Sequence, residues 1–309
     1  MKIGSLFSGI GGLDLACEQV FDAQTVWQVE REPYCQKVLA ARWPDAERFD
    51  DVTQVSSDVL EPVDVICGGF PCQDLSIAGK RAGLDGARSG LYSEMMRLVS
   101  ELTPRFVVFE NVPALMQYRA RVHGDLAALG YGSLWQMCRA YDAGAPHSRR
   151  RVFILAVRDA AGCVVLPNPC LQGDLFAPSW DELAALDRNW PTPRKRDYKD
   201  GGREPAAMRR HSPTLPTVTA QYADMGVLNP SWVDVLMGLP AGWSDADAVP
   251  ADTHAWPLGR GYEQAEHEPP RLIPRKRGTN RAARLRALGN AVVPQQAAAA
   301  LTRMLAVKP

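Results

Sequence analysis

Three short stretches carry side chains able to do covalent chemistry. The first, VDVICGGFPCQDLS at residues 63–76, runs from apolar residues into a glycine pair, then Phe70-Pro71, then an isolated thiol at Cys72 beside the amide of Gln73. The second, FVVFEN, is an apolar run that stops at Glu110-Asn111. The third, PHSRRRVFIL, sets Arg149 and Arg151 just before another apolar run. A thiolate attacks electron-poor carbon, a carboxyl delivers a proton to a ring nitrogen, and a guanidinium polarises a carbonyl, so the three together hold the parts of a covalent catalyst. On its own stretch, Cys72 is equally compatible with the commonest fate of a free cysteine, a small buried hydrophobe.

The elements that must position these groups alternate strand and helix. Lys2–Phe7 reads as a strand that runs into SGIGG and then an amphipathic helix carrying Leu13, Leu15, Ala16 and Val20. Strand, glycine loop and helix open a βαβ unit whose backbone N–H groups face a ligand. A strand at Thr25–Val29 ends on Glu30, close to the roughly 20-residue spacing at which such units place a carboxylate for ribose hydroxyls. A helix over 33–42 follows, then a short strand ending at Asp50 and Asp51. Next come the strand that ends at the Cys72 loop, a glycine-rich loop from Gly79 to Gly90, a helix from Leu91 to Leu102, the Phe106–Phe109 strand, a helix over 114–129, and a hairpin of Tyr131–Ala140 with Arg151–Val157. This rhythm predicts a doubly wound, mostly parallel α/β sheet covered on both faces, with Cys72, Glu110 and the arginines converging at one edge. Pro71 fixes its own φ and restricts Phe70, so the thiol is expected on a stiff segment.

The chain has 309 residues, with 35 Lys plus Arg against 35 Asp plus Glu, so net charge neither suggests nor excludes a polyanionic partner. Two basic regions, Arg194–Arg210 and Arg271–Arg286, could face phosphates or simply water. The seven cysteines show no paired CxxC and no histidine at metal-ligand spacing, so neither a disulfide framework nor a metal site is expected. The N-terminus has no signal-peptide pattern and no apolar run approaches membrane-spanning length, so a reducing cytoplasm is the expected location. Beyond Asp159 the chain becomes rich in proline and poor in periodicity, which reads as a small irregular domain. Pro240–Pro270 reads as an exposed acidic insertion, and 295–306 as an alanine-rich helix.

The ordered motifs LFSGIGGLDLA, VEREPYCQKVL, DDVTQV, GGFPCQDLS, RSGLYSEMMRLV, FVVFENVPAL, PHSRRRVFILA and RALGNAVVP resemble those of the DNA (cytosine-5)-methyltransferases, closely over 1–157 and again at 212–243 and 285–306. The resemblance implies a Rossmann-like methyltransferase fold with a small irregular target-recognition domain. Residues 1–158 would form the catalytic and cofactor-binding domain, 159–284 the recognition region with the insertion near 240–270, and 285–309 a segment returning to the catalytic domain. It implies S-adenosylmethionine as cofactor, double-stranded DNA as partner, a place for a cognate restriction endonuclease, and a monomer.

Residue by residue, the resemblance implies that Phe7, Gly9, Gly11 and Gly12 shape the pocket for the methionine part of the cofactor. Glu30 would accept from the ribose hydroxyls and Asp51 from the adenine amino group. Val52, Pro71 and Leu91 would lie beside the cofactor, and Asn290 and Val292 would close the pocket. The target cytosine would be swung out of the duplex, Cys72 would add to C6, Glu110 would bond N3, and Arg151 would bond the exocyclic oxygen and pair with Glu110. Glu110 would need its pKa raised by burial for that role. Arg149 belongs to the same catalytic motif, where it is expected to support the loop or a phosphate. Gln73 and Asn111 would orient loops, and Arg194, Lys195 and Arg196 would contact phosphates. His147 stands where the family usually has glutamine, and the roughly fifty residues between Arg158 and Ser212 are few for target recognition. Cytosine-5 methylation of tRNA by the same fold, and a catalytically silent DNA-binding relative, remain the competing readings. A dehydrogenase fits poorly, because the loop lacks the full GxGxxG spacing.

Overall fold

The computed structural model describes residues 1–71, 90–159, 162–163, 189–199, 214–221, 226–252, 254–274 and 280–307. Cys72, Gln73, the Gly79 loop as far as Ser89, and most of the irregular stretch from 160 to 213 lie outside the described residues.

The main sheet is built from β1 (Lys2–Leu6), β2 (Gln24–Val29), β3 (Glu47–Phe49), β4 (Val65–Gly68), β5 (Phe106–Asn111), β6 (Gly132–Cys138) and β7 (Arg151–Asp159), in the order β3-β2-β1-β4-β5-β7-β6, with β8 (Gly162–Cys163) extending β7. β1 pairs in parallel with β2 and β4, β2 with β3, and β4 with β5, whereas β7 runs antiparallel between β5 and β6. The strand order reverses between β1 and β4, and the crevice at their carboxyl ends is where such sheets take ligands.

Strands covered on both faces must be apolar at every position, and the side chains of β4 and β5 divide with period two. Ile66, Val107 and Phe109 face one helical layer with Met95, Leu98 and Val99 of α3 (Gly90–Leu102) and Val122 and Leu126 of α4 (Arg119–Ala128). Val65, Cys67, Phe106 and Val108 face the other, which holds Leu13, Ala16 and Cys17 of α1 (Gly12–Phe21). The helix expected over 114–129 is divided, with a tight turn at Pro113–Tyr118 that buries Leu115 before α4 begins.

After α2 (Pro33–Arg42), the later elements are α5 (Leu215–Thr219), α6 (Pro230–Leu236), α7 (Arg281–Asn290) and α8 (Pro294–Leu305), with β9 (Val227–Leu228) and β10 (Leu272–Ile273) forming a small ladder. Asn229 caps α6 through its side chain to Ser231 N, and Pro230 takes the first helical position, where a missing N–H costs nothing. Ala297, Ala300 and Leu301 of α8 pack with α1 in the second layer.

Two expectations need correction. The stretch 240–270 is acidic and exposed over much of its length, but it is anchored at several buried points. Trp243 and Ser244 are buried, Trp243 Nε1 donates to Ile10 O at 2.9 Å, and Glu268 is buried where it accepts from Trp232 Nε1. The Arg42 guanidinium donates to the carbonyls of Gly242, Trp243, Asp245 and Ala248, which fastens this stretch to α2. The 271–286 run is likewise no simple basic face. Residues 281–290 are helical, and Arg284 is buried on Asp234. Composition reports charge but not the distant backbone that neutralises it.

Candidate active site

β1 ends in a strained corner. Phe7 has φ 55°, a left-handed value that bulky residues rarely adopt, and it is followed by Gly9 at φ 59° and Gly11 at φ 81°. The corner turns backbone N–H groups toward Glu30 at the end of β2. Glu30 Oε2 accepts from Gly9 N at 2.7 Å and Oε1 from Glu32 N at 2.8 Å. Burial pushes the Glu30 carboxyl above its ordinary pKa, against the lowering effect of these backbone bonds. A pocket opens here, walled by Phe7, Ser8, Gly9, Gly12, Asp14, Gly68 and Gly69, by Glu110, and by Asn290, Ala291 and Val292. The α7–α8 junction forms the far wall, and Gly12 admits it: a Cβ at Gly12 would stand 2.3 Å from Val292 O. The pocket thus joins two stretches some 280 residues apart.

The other cofactor candidates sit around this centre. Gly11 makes room for the Trp43 ring, which a Cβ would meet at 2.2 Å, so its bareness serves packing. Asp51 Oδ1 accepts from Thr53 N at 2.9 Å and Thr53 Oγ1 at 2.8 Å, bonds that hold its carboxyl below the usual range. Val52 is buried in the core, Leu91 packs partly buried against the same cluster, and Pro71 is exposed. Arg97 was not anticipated. It donates to Val52 O and Val55 O, which pins the Asp51 turn to α3, while Glu94 and Glu101 hold the guanidinium. The i,i+3 and i,i+4 spacing of these three charges was the available signal.

At the end of β5, Glu110 Oε1 pairs with Arg151 Nε at 2.8 Å, their side chains 13% and 19% exposed. Glu110 is therefore mostly buried and ion-paired with Arg151. Its Oε2 lies over Gly69, where a Cβ would come within 3.1 Å, and this leaves the acid against the backbone leading to Cys72. Asn111 Nδ2 donates to Phe70 O at 3.2 Å and its Oδ1 accepts from Val112 N at 2.8 Å, tying the exits of β4 and β5 together.

Arg149 points elsewhere. It is buried, and its guanidinium donates to Pro193 O, Gly289 O and, at 2.6 Å, Ala291 O. Gln296 Nε2 in turn donates to Arg149 O and Cys138 O. This arginine staples the 189–199 stretch and the pocket's far wall to the start of β7. Glu110 and Arg151 lie close enough to act on its charge. His147 donates from Nε2 to Leu236 O at 2.9 Å in full burial, which lowers its pKa to about 3 and keeps the ring neutral. Arg194, Lys195 and Arg196 are exposed, and Gly289 packs against the Arg194–Lys195 backbone. Among the described residues no cluster of metal-ligating side chains occurs, and no helix is long and apolar enough to cross a membrane.

A glycine-cornered pocket with an ion-paired acid on its rim lies at the switch point of a doubly wound sheet, where such sheets take ligands. Residues 1–202 match the model of the C-5 cytosine-specific DNA methylases, and the chain belongs to that family. It is 34% identical over 165 residues to the Type II methyltransferase M2.BsuMI of Bacillus subtilis and 31% identical over 164 residues to M.HhaI of Haemophilus parahaemolyticus. These alignments cover 50% and 52% of this chain but only 42% and 50% of the relatives. In fold it resembles the Entamoeba histolytica methyltransferase EhMeth, with a TM-score of 0.61 at 14% identity over 99% of this chain and 97% of that one. It also resembles DNMT2 of Spodoptera frugiperda, with a TM-score of 0.58 at 17% identity over 98% and 99%.

Proposed function

We propose that this protein transfers a methyl group from S-adenosylmethionine to C5 of a cytosine in double-stranded DNA, through a covalent bond between Cys72 and C6. The observation that carries the reading is that Glu110, paired with Arg151, borders the same pocket as the glycine corner and Asn290–Val292. Residues at and beside the pocket suit the chemistry of the donor's parts. Glu30 offers carboxylate lone pairs to ribose hydroxyls beside the Gly9 N–H, the close approach of Gly12 and Val292 leaves a narrow slot, and Asp14 supplies a buried carboxylate. When bound, the donor supplies an electrophilic methyl group.

The chain's own residues prepare the base. A thiol of pKa about 8.5 is only a few per cent ionised at about pH 7, so Cys72 is delivered as thiolate only in a site that favours the anion. Its addition to C6 pushes electrons toward N3, where Glu110 bonds, and Arg151 bonds the exocyclic oxygen while holding Glu110 in place. C5 then takes the methyl group, and loss of the C5 proton and of Cys72 restores the ring. Arg149 acts through the pocket wall, and Arg194, Lys195 and Arg196 meet phosphates.

The matching family, described as C-5 cytosine-specific DNA methylases, favours DNA as substrate, and a cognate restriction endonuclease is the partner we propose. Bisulfite sequencing of DNA from a host expressing the chain, with the Cys72→Ser variant as control, tests the activity and reads the target sequence. Methylation at one sequence context, lost in the variant while cofactor binding stays near normal, is the expected result. Methyl transfer to tRNA and not to duplex DNA would overturn the substrate, and full activity of Cys72→Ser would overturn the nucleophile. Neutralising Arg194, Lys195 and Arg196 together is expected to flatten the salt dependence of DNA binding. An unaltered slope returns them to ordinary surface.

A further inference from the structure

The pocket contains one acid that the motif residues leave without a role. Asp14 is fully buried in the first turn of α1. Its Oδ1 accepts from Gln28 Nε2 of β2 at 2.9 Å, while its Oδ2 has no hydrogen-bond partner, nor do Ser5 Oγ of β1 and Gln28 Oε1. Among the described residues, the groups facing it are neutral or acidic. Ser5 lies close enough to favour the anion, Glu18 of α1 opposes it, Cys67 of β4 with Cys17 of α1 are buried thiols, and α8 meets α1 through Ala297, Ala300 and Leu301. Glu110, across the pocket, is already paired with Arg151. Asp14 thus belongs to the pocket's lining with one carboxyl oxygen unbonded and, among the described residues, no ion pair.

We propose that Asp14 is the counter-ion to the donor's positive charge. It gives up its proton to solvent when the sulfonium form binds and takes one back once the methyl group has left and the ligand is neutral at sulfur. The pocket then prefers charged donor over spent product. The inference rests on reading the pocket as the donor site. Burial pushes the Asp14 carboxyl to about 7, so near neutral pH the group is poised for a small change of field to decide its charge. An opposite charge nearby moves a carboxyl by about 1–3 pH units, equivalent to about 10- to 1000-fold in differential affinity.

Isothermal titration of the full chain with S-adenosylmethionine, S-adenosylhomocysteine and sinefungin, each in two buffers of different ionisation heat, counts the protons released. The ligands also carry titratable amino groups of their own, and the Asp14→Asn variant, which keeps these but has no carboxyl, separates their protons from that of Asp14. S-adenosylmethionine, and sinefungin with an amine where the sulfonium stands, are expected to release about half a proton more than S-adenosylhomocysteine at pH 7, and less at pH 8. Asp14→Asn is expected to abolish the difference and lower the donor-to-product affinity ratio by about tenfold or more. Equal proton release by all three ligands in the unaltered protein overturns the proposal whether or not the variant folds. Binding of none of them removes the donor-site reading itself, and this one with it.

Discussion

Two arginine–carboxylate corners of this protein use the same chemistry for opposite ends. Arg284 with Asp234 lies beside a second core, a cluster apart from the two sheet layers that gathers Trp190, Trp232, Leu236, Leu285 and Leu288. The pair's side chains are 8% and 0% exposed, and its partners come from within. Arg284 also bonds Ser231, Ser244 and Asp245, and Asp234 accepts from the backbone N–H groups of Gly242 and Ser244. Arg151 with Glu110 lies at the sheet edge and is held by one 2.8 Å contact, with Glu110 Oε2 left over Gly69. A closed network fixes structure. An open one keeps acceptor capacity for a ligand.

The closed corner also shows that pairing does not guarantee net stabilisation. Burial raises Asp234 to about 6 in spite of Arg284, so desolvation outweighs the attraction. Removing one partner is nonetheless costly, because it strands the other. Arg284→Ala is expected to lower unfolding stability by about 3–5 kcal/mol in chemical denaturation. Because Asp234 keeps its proton in the folded state up to about pH 6 but loses it near 3.8 when unfolded, its contribution is fully present below 3.8. That contribution is lost as pH rises through 6, amounting to about 3 kcal/mol over the window. Asp234→Asn should erase this part of the pH slope, and an unchanged slope would show that another titrating group, not Asp234, sets it.

The open corner should respond in rate rather than stability. Glu110→Gln is expected to reduce turnover about 10²-fold or more, which is about 2.7 kcal/mol, with DNA affinity retained and little change in the unfolding midpoint. A variant that loses stability and keeps its turnover would make this a second structural corner.

The cofactor side of the molecule was legible because its determinants are local. The glycines, the β-branched runs and the acid at the end of β2 each follow from residues within a few positions, and the boundaries of α2, β5 and α3 follow from periodicity. The second core was not. Arg42 is neutralised by carbonyls some 200 residues further on, Trp243 is buried because Ile10 O meets it, and α7 carries too many arginines to show an apolar stripe. Asp14 hides for the same reason, since an acid in the first turn of a helix normally reads as a solvated group favoured by the helix dipole. What made it unusual was the sheet beneath it.

The smallest expected effect falls on the hinge between the two corners. His147 sits two residues before Arg149 and holds α6 through one bond to Leu236 O. At a pKa of about 3 it stays neutral through the physiological range, so its only polar service is a single N–H donor. A glutamine amide offers the same donor on a more flexible stem, and the buried Nδ1, which has no partner, is no loss. His147→Gln is therefore expected to change stability by less than about 1 kcal/mol, whereas His147→Leu, which leaves Leu236 O unpaired, should cost about 1–3 kcal/mol. If both variants proved equally harmful, the ring's shape rather than its hydrogen bond would be what joins the sheet edge to the second core.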